Sequence, residues 1–256
     1  MYCIIMLVMF VKYFMTYSYD GTNFSGYQKQ PRKRTIQKEI EDVLKQINGG
    51  KKVTIYSSGR TDAGVHALNQ KAHFEMNVKI SADRLLRGMN SLLPSDIYVK
   101  NIEIVEDDFH ARFNAIGKEY IYIINMGEYN PIERNYVYQY CKKLDVVSIE
   151  RGLKYLEGTH NYKSFVKCDE EITDYERTIS QATVIRDSKD LNKIIITFVG
   201  TGFLRYMVRN MVGLLIEIGE GKRKPENIIE ILKSENRRLA GKTAPSCGLY
   251  LRNVFY

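Results

Sequence analysis

The sequence predicts an α/β protein of the α+β kind. It should contain two similar subdomains with mixed, mainly antiparallel sheets flanked by helices. Three observations lead there. Strand-like and helix-like segments alternate along the chain. The second half repeats the outline of the first, as a duplicated unit would. The chain also has 256 residues, 44% hydrophobic and 27% charged, which suffices for a large core and argues against disorder.

The elements follow in order. Residues 11–19 are rich in aromatics and predict a strand. Asp20-Gly21 and Asn23 then make a turn. Apolar residues at Ile36, Ile40, Val43, Leu44 and Ile47 lie on one face of a helix. Thr35 is its expected N-cap and Gly49-Gly50 its stop. Residues 53–56 form a short strand, residues 57–66 a loop and residues 71–74 a further strand. Leu85, Leu86, Met89 and Leu92 mark a second helix, ended by Pro94. Residues 98–105 predict a strand.

The second half runs similarly. Residues 119–125, 179–185, 194–198 and 248–255 have strand character. A helix over 148–156 is expected to be capped by Ser148 and stopped by Gly158. A long helix spans 203–218, and a shorter one over 228–232 is entered through Pro225. The boundary falls near 113–118, giving an N-terminal subdomain over 1–115 and a C-terminal one over 116–256. No linker rich in Pro, Gly or Ser separates them, so the halves should pack tightly around a cleft.

Bulk properties narrow the function. The net charge is +8, from 38 basic and 30 acidic residues. That favours a polyanionic partner without deciding it. Cys3, Cys141, Cys168 and Cys247 are far apart, with no CxxC pair. This spacing suits neither a zinc site nor a disulfide framework, and it fits a reducing cytoplasm. The opening MYCIIMLVMFV is apolar but shorter than the roughly 20 residues that span a bilayer. It lacks the flanks of a signal peptide. It predicts a strand with a short apolar extension, and no membrane role.

The loop over 57–66, SSGRTDAGVH, carries the chemistry. Arg60 and Asp62 lie two apart between Gly59 and Gly64. Glycines permit tight turns and close approach of a ligand. An aspartate beside an arginine tends to stay ionised, and a held carboxylate can act as nucleophile or base. The spacing alone equally allows a surface ion pair or a turn cap. Nothing forces Ser57, Asp62 and His66 into the order of a triad.

The chain resembles the tRNA pseudouridine synthase A family. The loop contains GRTDAGVHA, that family's long signature. YSYDGTNFSGYQKQ, DDFHARFNA, KEYIYII, GTHNYKSF, GFLRYMVRNMVG and APSCGLYL follow in family order across nearly the whole chain. Tyr27 stands where many members have Trp, and Arg205 and Tyr206 occupy variable positions. The resemblance implies that Asp62 is the nucleophile and that Arg60 holds it and assists base extrusion. It implies that Tyr120 stacks on the target base, that Arg209 lies near the aspartate, and that Leu249 lines the pocket. Phe203 and Arg205 join these as substrate-binding candidates. It also implies a homodimer that needs no cofactor or metal. The expected substrate is tRNA, modified at uridines 38, 39 and 40 of the anticodon stem-loop.

Further contacts are expected from the surface. Lys29 belongs to a basic cluster with Arg32, Lys33 and Arg34. Arg84 and Arg87 lie one turn apart on the second helix. Lys222, Arg223 and Lys224 form another run. Such runs are ordinarily solvated faces, and in an RNA-binding chain they can meet phosphates. Arg205 and Arg209 are expected one helical turn apart on a shared face. His110, Arg112 and His160 are expected to be structural. The rival readings are a non-catalytic RNA-binding protein, a paralogue modifying other uridines, and a hydrolase in which Asp62 activates water.

Overall fold

The computed structural model describes residues 10–167 and 173–256. The apolar opening expected as a strand extension lies largely outside these residues, as do Cys3 and Cys168. Among the described residues, no helix is long and apolar enough to cross a membrane.

Among the described residues, ten strands form one continuous sheet. In the first half these are β1 (Val11–Tyr19), β2 (Ile55–Ser57), β3 (His66–Met76) and β4 (Ile97–Ile104), and β5 (Gly117–Asn125) opens the second half. The second half adds β6 (Tyr138–Gln139), β7 (Gly158–Asn161), β8 (Glu176–Arg186), β9 (Lys193–Gly200) and β10 (Leu249–Phe255). The main order is β4-β1-β3-β10-β5-β9-β8-β7, with β2 on β3 and β6 on β5. Most neighbours are antiparallel, while β10–β3 and β5–β6 are parallel. The mixed, mainly antiparallel sheet flanked by helices is therefore present. The two expected sheets are joined, because the closing strand β10 inserts between β3 and β5.

Register explains which residues face the helices. Tyr19 lies opposite Ala67, Ala67 opposite Leu251, Leu251 opposite Tyr120, and Tyr120 opposite Phe198. Opposed residues share a face, so this buried row crosses the sheet from one half to the other. Among the described residues there are five α-helices: α1 (Ile36–Ile47), α2 (Ala82–Leu92), α3 (Val146–Leu156), α4 (Met207–Gly219) and α5 (Asn227–Ser234). In the first half α1 packs on α2, and in the second α3 packs on α4 and α5.

Three local expectations need correction. Thr35 does cap α1, accepting from the Lys38 N–H, but the cap of α3 is Asp145, not Ser148. The Asp145 carboxylate accepts from Val147 and Ser148 N–H, and Ser148 Oγ donates to it at 2.6 Å. A carboxylate at that position takes both exposed donors, so the cap sits three residues earlier and the helix starts two residues earlier. Gly158, expected only as a helix stop, also opens β7 in a left-handed conformation. The long helix begins at Met207, not at 203. Tyr206 has φ 65 and breaks it there, so Arg205 and Arg209 do not share a helical turn. The two-residue β6 has no sequence signal of its own.

The middle of α4 carries a glycine for a packing reason. A Cβ on Gly213 would run into the carbonyl of Lys242. The close approach lets Ala244 N–H donate to the Arg209 carbonyl at 3.0 Å. We expect Gly213→Ala to cost about 1–3 kcal/mol, as other overpacked sites do. On Gly88 in α2 a Cβ meets only Ile47 at 3.7 Å. Gly88→Ala should therefore stabilise by about 0.4–1 kcal/mol. Calorimetric melting of both variants checks the pair; shifts of the same sign would refute this packing.

Candidate active site

The loop that joins β2 to β3 is stapled to the sheet along its length. Ser58 N–H donates to the Lys71 carbonyl at 2.9 Å and Ser58 Oγ to Gln70 at 2.7 Å. Gln70 donates in turn to the Gly59 carbonyl at 3.1 Å. The buried hydroxyls of Thr61 and Tyr19 are 2.8 Å apart. Tyr27 N–H donates to the Thr61 carbonyl at 3.1 Å. Gly26, at φ +95, lies against the Thr61 and Ala63 backbone, where a side chain would crowd the loop. These contacts hold Asp62 on a rigid base.

Asp62 faces Arg209, not Arg60. Its Oδ2 lies 3.2 Å from an Arg209 guanidinium nitrogen, with side-chain exposures of 16% and 14%. Arg60 is exposed and makes no hydrogen bond or ion pair among the described residues. The expectation that Arg60 holds the carboxylate is corrected. Neighbours in a tight turn point apart, while α4 brings Arg209 in from across the chain. Arg209 is itself fixed: its Nε donates to the Ala244 carbonyl at 2.8 Å, and its guanidinium lies 5.0 Å from the centre of the Tyr206 ring.

The electrostatics of Asp62 are a contest. Burial raises its carboxyl above the ordinary aspartate value, while Arg209, then Arg205 and Lys167, oppose the rise. Burial prevails. Folding is therefore favoured less by the ionised acid than by the protonated one. That contribution is lost as pH rises through the folded value.

Tyr120, on β5, lies in the field of this acid. It is buried, and burial, with Tyr19 and Asp62, pushes its phenol well above the usual tyrosine range. Its hydroxyl makes no hydrogen bond among the described residues. Its ring packs edge-on against Phe203, with centres 5.2 Å apart.

The remaining candidates divide. Arg205 lies near the acid, 5.5 Å from the Tyr206 ring. Leu249 is buried opposite Tyr122, two pairs removed from Tyr120; the residue opposite Tyr120 is Leu251. Lys29 is paired with Glu41 at 3.1 Å. Arg84 and Arg87 are exposed on α2, away from the loop's contacts. His66 is structural and neutral: its Nδ1 accepts from Gly21 N–H at 3.1 Å and its Nε2 donates to Asn135 O at 2.9 Å. Asp20 at 3.2 Å is therefore a neighbour and not a charge partner, and burial lowers the ring's basicity. Sequence reasoning missed Leu251, Lys167, Tyr206 and Lys118. For Leu251, Tyr206 and Lys118 the only signal was membership of motif segments, and Lys167 lies just past one. A cavity of about 680 Å³ lies beside the site, with Lys167, Tyr206, Asn210 and Arg237 among its walls.

Comparison with known proteins places the chain in a family. The model of the tRNA pseudouridine synthase family matches residues 15–114 and 153–256. The chain belongs to that family. It is 42% identical to tRNA pseudouridine synthase A of Latilactobacillus sakei over 246 residues, covering 96% of this chain and 98% of the relative. It is 46% identical to the proteins of that name from Anoxybacillus flavithermus, over 241 residues (94% and 97% of the chains), and Lacticaseibacillus casei, over 245 residues (95% and 99%). A chain from a crystal structure of a Cbf5-Nop10-Gar1 complex aligns with TM-score 0.32 and 13% identity, over 80% of this chain and 54% of that one.

Removing Arg209 should expose the burial penalty on Asp62. In Arg209→Gln the carboxyl is expected to titrate at still higher pH, and in Arg209→Lys close to the wild type. Carbon-13 NMR of Asp62 measures it; an unmoved titration in Arg209→Gln would refute the pairing.

Proposed function

We propose that this chain isomerises uridine to pseudouridine in tRNA, with Asp62 as the nucleophile. The observation that carries this reading is a largely buried carboxylate pinned by Arg209 and placed in the field of an unbonded phenol. The target base must leave its stack, at a cost of a few kcal/mol. The Tyr120 ring, braced by Phe203, offers a face that offsets part of that cost.

The carboxylate then attacks C1′ of the ribose, attacks C6 of the uracil, or starts a glycal route. The N1–C1′ bond breaks with its electron pair on N1, the uracil turns, C5 joins C1′ as any bond to the carboxylate is released, the C5 proton leaves, and N1 takes up a proton. Atoms and electrons balance within the nucleotide, so neither oxidant nor water is consumed. Burial keeps the Tyr120 phenol neutral, so it provides a surface and a donor but no standing base. The freed Asp62 carboxylate is then the nearby anion able to take the C5 proton. Arg209 keeps that carboxylate oriented between steps.

The substrate follows from the family and from the charge. By resemblance, the modified sites are uridines 38, 39 and 40 of the anticodon stem-loop, and the working form is a cytoplasmic homodimer. Residues 1–115 and 116–256 would form the two sides of the cleft. Arg84 and Arg87, exposed and without acidic partners among the described residues, suit phosphate contact better than Lys29, which Glu41 already neutralises.

Two experiments test this. Tritium release from tRNA labelled at uridine C5, with mapping of the product, should show pseudouridine for the wild type. Asp62→Asn and Asp62→Ala should lose more than ~10³-fold in turnover, as enzymes deprived of their nucleophile do. Free uracil or abasic sites would establish a hydrolase instead. In tRNA binding, Arg84→Ala with Arg87→Ala should reduce the salt slope by roughly 0.7–0.9 per lost phosphate contact. An unchanged slope would remove these arginines from the interface.

A further inference from the structure

A second buried charge lies beside the loop, and the mechanism above leaves it unused. Lys118 is on β5, two residues before Tyr120 and therefore on the same face of the sheet. Its ammonium donates to the Ser58 carbonyl at 2.8 Å and lies against Gly59. Among the described residues it has no carboxylate partner. The charged groups bearing on it are Arg112, from the segment before β5, and Arg177 on β8. Across the sheet it faces Gly200 of β9 and Val254 of β10, neither of which titrates. The next residue, Glu119, points to the opposite face and pairs with Arg252 at 3.1 Å.

We propose that Lys118 binds a phosphodiester of the RNA strand beside the extruded nucleotide, an assignment that rests on the tRNA reading above. A half-buried ammonium in the field of two guanidiniums and lacking an acid is destabilised on its own, and an anion relieves it. A partner for the Ser58 carbonyl alone would not require further cations around it. The spacing also suits a nucleotide. Strand rise separates Lys118 from Tyr120 by roughly 7 Å, comparable to the span between a base and its own phosphate. A base stacked on Tyr120 would thus place its backbone near Lys118. Burial, with Arg112 and Arg177 adding to it, pushes the ammonium down to about 8. A bound phosphate would restore the proton.

The test is tRNA binding by calorimetry, with an unmodified tRNA transcript, in two buffers of different ionisation enthalpy. The wild type is expected to take up ~0.8 proton on binding at pH 8.5 and ~0.1 at pH 7. Lys118→Arg, whose guanidinium stays charged, should bind with a wild-type salt slope and no such uptake. Lys118→Met should lose roughly 0.7–0.9 from the salt slope. It should also raise KM about 10-fold while kcat falls less, as loss of a contact made before the chemical step does. Should Lys118→Met misfold, the wild type and Lys118→Arg still decide the matter. No proton uptake by the wild type, or equal uptake by Lys118→Arg, would overturn the assignment. Pseudouridine formation by the wild type, measured in parallel, separates that failure from failure of the tRNA reading itself.

Discussion

The ion pair between Asp62 and Arg209 is the contact on which the site depends. It joins residues 147 positions apart and connects the first half's loop to the second half's helix α4. An exposed pair of this kind contributes roughly 0–1 kcal/mol. Stripping a partner from a fully buried one costs about 3–5 kcal/mol. With both side chains largely buried, this pair stands nearer the second case. Its geometry rests on small features. The bonds between Arg209 and Ala244 require the Lys242–Ala244 backbone to approach α4. That approach requires no side chain at Gly213. A residue that touches no substrate thereby sets the orientation of the cation that holds the acid.

The continuous sheet makes such a long-range contact reliable. Because β10 inserts between β3 and β5, the strand that ends in Met76 and the strand that carries Tyr120 share one hydrogen-bonded frame. The loop that presents Asp62 grows from β3, and the phenol from β5. Their separation is then fixed by strand spacing and register, not by the packing of two mobile halves. Rigid scaffolding of this kind is what a pre-organised site requires.

Local costs gather around the same place. Asp62 is held above its ordinary range, Lys118 below its own, and Tyr120 is buried with its hydroxyl unbonded. Tyr206 adopts a left-handed backbone beneath three cations, Lys167, Arg205 and Arg209. Elsewhere buried polar groups are mostly satisfied; Ser164, for example, donates to the Ile231 carbonyl at 2.6 Å. Such a concentration of shifted titratable groups and backbone strain around one loop is what a working site commonly carries.

The sequence by itself determined the local elements and the motif loop. The 3.6-residue period over 36–47, the aromatic strand Val11–Tyr19 and the GRTDAGVH run are written in adjacent residues, and local physics reads them directly. Only the tertiary structure decided the acid's partner, the joined sheet, the start of α4 and the isolation of Lys118. Arg60 was the nearer cation in sequence, yet turn geometry sends it to solvent while Arg209 arrives through α4. Tyr206 had no helix-breaking residue type to announce it; its ring sits among Arg205 and Arg209 of its own segment and Lys167 from a distant one. These features depend on which distant strands and helices meet, and such meetings are set by register, burial and charge pairing across the whole chain.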